Sequence, residues 1–113
     1  MILDLNRARP IHLAVVDGIK TAEAGELPQV ECPNFAPVEP GVLIASKDPV
    51  AADAVATSVM DLDPNAPSGS GPFVRCDNYL AMARDLGLGT NRLEEIEIVG
   101  PAIEEIRYHF RPV

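Results

Sequence analysis

The sequence predicts an α/β fold, a small mostly parallel or mixed sheet of 3–4 strands with two main helices. Three observations predict it. Two short apolar runs rich in β-branched residues lie in the first half, and the second turns directly into a segment of helical periodicity behind a complete start signal. A second helical segment then leads to a further run of alternating polarity. A strand, helices and another strand in that order close as a right-handed crossover between parallel strands. At 113 residues the chain is expected to form one domain around one core.

The first strand is Ile11-His12-Leu13-Ala14-Val15-Val16, ended by the turn pair Asp17-Gly18. Residues 19–40 lose that pattern. Pro28, Pro33, Pro37 and Pro40 punctuate a stretch that also carries Glu23, Glu26, Glu31 and Glu39, which predicts a long acidic loop of the kind that often covers a binding site. The second strand, Gly41-Val42-Leu43-Ile44-Ala45-Ser46, passes through Lys47 into a helix running to about Met60. Asp48 is the predicted cap, its carboxylate accepting the free N–H groups of the first turn, and Pro49 occupies the first helical position, where a missing N–H costs nothing. Val50, Ala54, Val55, Val59 and Leu62 fall on one side, predicted to pack on the sheet.

Residues 63–72 hold three prolines and the run Ser68-Gly69-Ser70-Gly71, a flexible connection without the Gly-Lys-Ser or Gly-Lys-Thr ending of a phosphate-binding loop. The second helix covers residues 76–86, with Tyr79, Leu80, Ala83 and Leu86 on its apolar side and Gly87 as C-terminal cap. Asn91-Arg92-Leu93-Glu94 reads as a short capped turn and Ile96-Glu97-Ile98-Val99 as a third, more exposed strand. Residues 103–110 form one more edge strand or an extended arm. With both helices on one side, the other side of the sheet is left bare, to be covered by a further part of a longer chain or by a second copy.

Charge and composition exclude several classes. A net charge of −8 and a pI near 4.5 oppose encounter with nucleic acid or an anionic membrane surface. No apolar run approaches a membrane span, and Met1-Ile2-Leu3-Asp4 lacks the order of a signal peptide, so a cytoplasmic location is expected. Cys32 and Cys76 stand alone, with no Cys-x-x-Cys and no histidine at ligand spacing, so neither a zinc site nor an iron–sulfur cluster is expected from this chain. His12 and His109 have no Ser or Cys partner in a nucleophile motif, and a structural role is expected for both.

Val15-Val16-Asp17-Gly18-Ile19, the stretch from Gly41 through Asp48-Pro49-Val50-Ala51-Ala52-Asp53-Ala54-Val55-Ala56, Leu86-Gly87-Leu88-Gly89 and Glu95-Ile96-Glu97-Ile98-Val99-Gly100 together resemble the C-terminal half of the "domain of unknown function 362" family. The resemblance reaches from Leu5 to Phe110, and Asp-Pro-Val-Ala-x-Asp-Ala-Val is its most specific part. It implies a usually longer architecture, some of whose members carry ferredoxin-type cysteine clusters, and hence a link to redox metabolism. This chain has no such cluster, and Thr21-Ala22-Glu23-Ala24-Gly25-Glu26-Leu27-Pro28 keeps only part of the Gly-rich stretch that follows the first Asp-Gly in the family.

In an open α/β sheet, ligands favour the crevice beyond the carboxyl ends of the strands. Asp17 follows the first strand and Asp48 the second, so parallel neighbouring strands would bring both carboxylates to one edge. There they would hold a divalent cation such as Mg²⁺, with Glu23 or Glu26 above, or act as an acid–base pair. Asp17, Gly18, Asp48 and Asp53 are therefore the candidate ligand residues, and Asp17 and Asp48 the candidate metal ligands. Plainer roles stand beside these: capping for Asp48, turn formation for Asp17, and a solvent-facing position for Asp53. Two functions remain open, a small-ligand or cation-binding domain, or a non-catalytic interaction domain that binds its own kind or a redox partner.

Overall fold

The computed structural model describes residues 1–24 and 34–111. Its elements run α1 (Ile2–Ala8), β1 (Ala14–Gly18), β2 (Thr21–Glu23), β3 (Ala36–Val38), β4 (Val42–Ser46), α2 (Pro49–Val59), α3 (Tyr79–Asp85) and α4 (Ile103–Ile106), with single 3-10 turns at Gly71–Phe73 and Leu93–Glu95. The class is mixed α/β, as expected, but the sheet is not. Among the described residues the strands form two antiparallel pairs, β1 with β4 and β2 with β3, and no parallel pair or sheet of three or four strands.

The cause lies in residues 19–40. Gly18 pairs with Val42 and Thr21 with Val38, while the Gly41 N–H donates to the Ile19 carbonyl at 3.3 Å. The two pairs are thus nested in one long hairpin, interrupted where Lys20 and Glu39 form an exposed ion pair at 3.0 Å. A hairpin returns the chain antiparallel, whereas a parallel pair needs a crossover. The stretch expected to be a loop therefore contains β2 and β3, and its residues 25–33, including Glu26, Glu31 and Cys32, lie outside the described residues.

Helix α2 carries the core on two sides. Val50 and Ala54 pack with Ala66, Phe73, Leu80 and Ala83, joined by Leu3, Leu88, Leu93 and Ile96. Val55 and Val59 pack with Ile103, joined by Val42, Ile44 and Ile106. The expected single apolar face therefore splits, half of it turning to α3 and half to the sheet and α4.

Asn78 starts α3 by accepting the Ala81 N–H at 2.9 Å, and its amide donates to the carbonyls of Pro64 and Ala66, which fixes the connection expected to be flexible. Gly87, at φ +73°, ends α3: its N–H reaches the Arg84 carbonyl and the Leu88 N–H reaches that of Ala83, the paired pattern that a left-handed residue allows.

Residues 96–99 form no strand. Ile96 packs inward, but Val99 is 90% exposed and the segment has no ladder partner among the described residues. Of residues 103–110, expected as an edge strand or an extended arm, the first four form the helix α4 instead. Residues 107–111 run as an extended arm held across the end of α2 by Tyr108 N–H to the Val59 carbonyl (2.8 Å) and Phe110 N–H to that of Met60 (3.4 Å). No helix among the described residues is long and apolar enough to cross a membrane.

Candidate functional site

The hairpin register decides the fate of the expected carboxylate pair. Asp17 pairs with Leu43 and Ala14 with Ser46, so Asp48, two residues beyond Ser46, lies at the opposite end of the ladder from Asp17. Five residues of strand separate the two positions, about 17 Å at the usual rise. They do not converge.

Each carboxylate has a local task. Asp48 Oδ1 accepts the N–H groups of Val50 (2.8 Å) and Ala51 (3.0 Å), and Oδ2 accepts that of Thr90 at 3.0 Å. Asp17 Oδ1 accepts the Ile19 N–H at 3.0 Å and shapes the turn after β1. Gly18 lies against Val42 so closely that a Cβ would stand 2.9 Å from Val42 Cγ1, which gives the glycine a packing reason. Glu23 is buried, and accepts the backbone N–H of Arg111 at 2.9 Å together with its guanidinium Nε–H. His109 Nδ1 sits 2.8 Å from Asp61 Oδ2, and His12 is exposed. Among the described residues no three His, Cys, Asp or Glu side chains gather in a cation-sized group.

Two cavities touch the candidates: Asp17 and Gly18 border a hollow of about 130 Å³ beside Val42, Val59 and Phe110, and Asp53 lines a roomier one elsewhere. A cleft of about 480 Å³ opens between α1, the start of α2 and α3. Leu3, Ile11, Val50, Leu80, Leu86 and Leu88 give it an apolar floor, and Arg7, Lys47, Asp53 and Tyr79 are its main polar groups. The Asp53 residue keeps an exposed surface, yet the protein around its carboxyl displaces enough water to push its pKa above the ordinary value. Tyr79 is raised for the same reason first, and then by the charges of Asp53 and Cys76, so its hydroxyl stays a donor. Its ring packs edge-on against Phe73 at 5.7 Å, which fixes its place on the cleft wall.

None of Arg7, Lys47 or Asp53 forms an ion pair with another described residue. A water-accessible apolar cleft with a few uncommitted polar groups and a perturbed carboxyl has the makeup of a small-molecule site, and its size falls within the roughly 300–1,000 Å³ such sites span.

Sequence reasoning placed Asp53 on α2 and Tyr79 on the apolar side of α3 without bringing them together, and it missed α1. The signal for α1 was present: Ile2, Leu3 and Asn6 recur at helical spacing, and Asn6 donates back to the Ile2 carbonyl at 3.0 Å. No residue of α1 is fully buried, so the helix lacks the sustained apolar stripe that marks longer ones.

A family model described as "Domain of unknown function (DUF362)" matches residues 1–58. That match ends within α2, well short of the span from Leu5 to Phe110 over which the sequence resembles the family. No curated protein and no solved structure matches the chain.

Proposed function

We propose that this chain, which belongs to the DUF362 family of domains of unknown function, is a small-molecule-binding domain whose ligand lies in the cleft between α1, α2 and α3. The observation that carries the reading is the set of uncommitted polar groups above an apolar floor: Asp53 and Tyr79 on two helices that pack against one another, facing Arg7 on a third. Helices α2 and α3 are rigid walls, pinned by Asp48 and Asn78 at their starts, whereas α1 is the lightly packed one. The reading keeps Asp53 as a ligand residue and assigns Asp17, Gly18 and Asp48 to the architecture around it. The alternative of a non-catalytic interaction domain draws on a different feature, the exposed outer side of β1 and β4 with Leu13, Val15 and Leu43, where Asp17, paired with Leu43, is the charged strand residue and already accepts the Ile19 N–H.

A thermal-shift screen of small metabolites against the full chain and its Asp53→Asn variant tests the reading. A ligand at about 100 times its Kd adds roughly 2.7 kcal/mol, about 10 °C in midpoint for a domain of this size. At least one compound is expected to give such a shift with the wild type and a much smaller one with Asp53→Asn. The variant itself should not unfold. A carboxyl whose pKa is raised by folding opposes the folded state at every pH above its ordinary value of 3.8, so replacing it by a neutral amide leaves stability at pH 7 unchanged or slightly higher. Shifts that persist fully in Asp53→Asn, or none across the screen, would remove the reading.

A further inference from the structure

The class of ligand follows from which groups around the cleft remain free, an argument that rests on the small-molecule reading above. The start of α2 borders the cleft through Pro49 and Val50, and a helix start is the usual backbone seat for an anion. Here it is taken. Pro49 has no N–H, the N–H groups of Val50 and Ala51 are bound by Asp48 Oδ1, and that of Ala52 donates to the Asp48 carbonyl at 3.0 Å. An anion in the cleft therefore finds no free N–H in the first turn of α2, which leaves its recognition to other groups.

Two cationic side chains are in place for it. Arg7 comes from α1 and Lys47 from the junction of β4 and α2, and both line the cleft. Asp4, one turn before Arg7, is bound by the Met1 ammonium at 3.0 Å, and the Arg7 charge acts on it only more weakly. In a chain of net charge −8 with only nine Lys and Arg residues, two that line one cleft and form no ion pair with another described residue run against the average field of the molecule. Asp53 on the α2 wall adds an acceptor for a hydrogen-bond donor on the same ligand.

We infer that the cleft takes a small organic acid with a compact apolar body and a hydroxyl or amino donor, its carboxylate held by Arg7 and Lys47, its donor by Asp53 and its body on Leu3, Leu80 and Leu88. An arginine and a lysine from two separate elements give charge-assisted hydrogen bonds that a neutral head group does not receive.

The test is titration of the ¹⁵N-labelled full chain with 3-phenyllactate, 3-phenylpropionate and 3-phenyllactamide, read at the amides of Val50, Ala83 and Leu88. The two acids are expected to shift these amides with Kd values about ten-fold or more below that of the amide compound, the gain of a charge-assisted contact. Phenyllactate is expected to bind more tightly than phenylpropionate, and Asp53→Asn to narrow that gap. The double variant Arg7→Gln, Lys47→Gln should lose the preference for acids while keeping the rest of its spectrum, because both side chains are exposed and free of ion pairs with described residues. Equal binding of acid and amide at the cleft, or a double variant that still prefers acids, overturns the ligand class and leaves the small-molecule reading standing. Failure of all three probes to move the cleft amides overturns the class, and with an empty thermal screen the underlying reading falls as well.

Discussion

Asp48 shows how one side chain does two jobs of which only one is written locally. Its Oδ1 satisfies two N–H groups of the first turn of α2, and its Oδ2 holds the Thr90 N–H from 42 residues away, where a Cβ at Gly89 would run into the same carboxylate. Replacing a capping Asp by Ala typically costs about 0.5–2 kcal/mol, and leaving a part-buried N–H unpaired about 1 kcal/mol or more. Asp48→Ala is therefore expected to lower stability by about 1.5–3 kcal/mol in urea unfolding. Asp48→Asn, which keeps one acceptor but offers an NH₂ group to the Thr90 N–H, should lose about half of that. A loss under about 0.5 kcal/mol for Asp48→Ala would show that the tie to Thr90 adds nothing. The cap was legible because Pro49 and the apolar spacing after it sit beside Asp48. The tie was not, since nothing near Asp48 marks position 90 as its neighbour. Asp53 stayed ambiguous for a related reason: α2 is apolar toward two core clusters, so the single-face rule used to place it did not apply.

At the scale of elements, the hairpin and the arm share one link. Glu23 at the end of β2 binds Arg111, whose backbone N–H foremost, then its guanidinium, hold the carboxyl below the usual range against the upward push of its burial. A carboxyl with a lowered folded pKa contributes fully above its ordinary value of 4.5 and loses that contribution as pH falls through the lower folded value. Hydrogen-exchange protection of the Tyr108 and Phe110 amides, which bond to the end of α2, is thus expected to weaken between about pH 6 and about pH 3 ahead of that within α2. In Glu23→Gln the arm should be weakly protected already at neutral pH and little changed by acid. Equal protection of the wild-type arm at both ends of that range would show that Glu23 does not hold it. The places of β1 and β4 were readable from their β-branched residues, though β1 starts three residues later than expected and takes in Asp17 and Gly18, which were expected as a turn. Direction depends on the connection, and prolines at 28, 33, 37 and 40 concealed β2 and β3 within it. The expected strand at residues 96–99 had the right alternation and lacked only a neighbour, which no local pattern reports.

The whole molecule buries its apolar residues around α2 and leaves the outer side of β1 and β4 in solvent, with Leu13, Val15 and Leu43 each 61% exposed. That a sheet side would be bare was legible from counting helices, even though the sheet itself differs. Such a patch raises the tendency to associate without adding to the fold. Val15→Thr, Leu43→Thr is expected to leave stability within about 1 kcal/mol, as two solvent-facing substitutions do, while reducing concentration-dependent association in sedimentation velocity. A loss beyond about 2 kcal/mol would mean that these side chains are covered in solution.

The central place of α2 also sets an order of events during synthesis. Val50 and Ala54 leave the ribosome before Phe73, Leu80 and Ala83, the residues that bury them, and the carboxylate of Asp48 waits for Thr90. At roughly 5–20 residues per second, about 2–6 s pass between completion of residue 58 and that of Thr90. Early in that interval α2 can pack on the hairpin through Val42, Ile44, Val55 and Val59, but Val50 and Ala54 lack the residues that cover them, the form most open to capture by a chaperone. A pause in translation after residue 58 should lengthen that exposure, whereas one after Thr90, with both walls of the cleft already made, should matter far less.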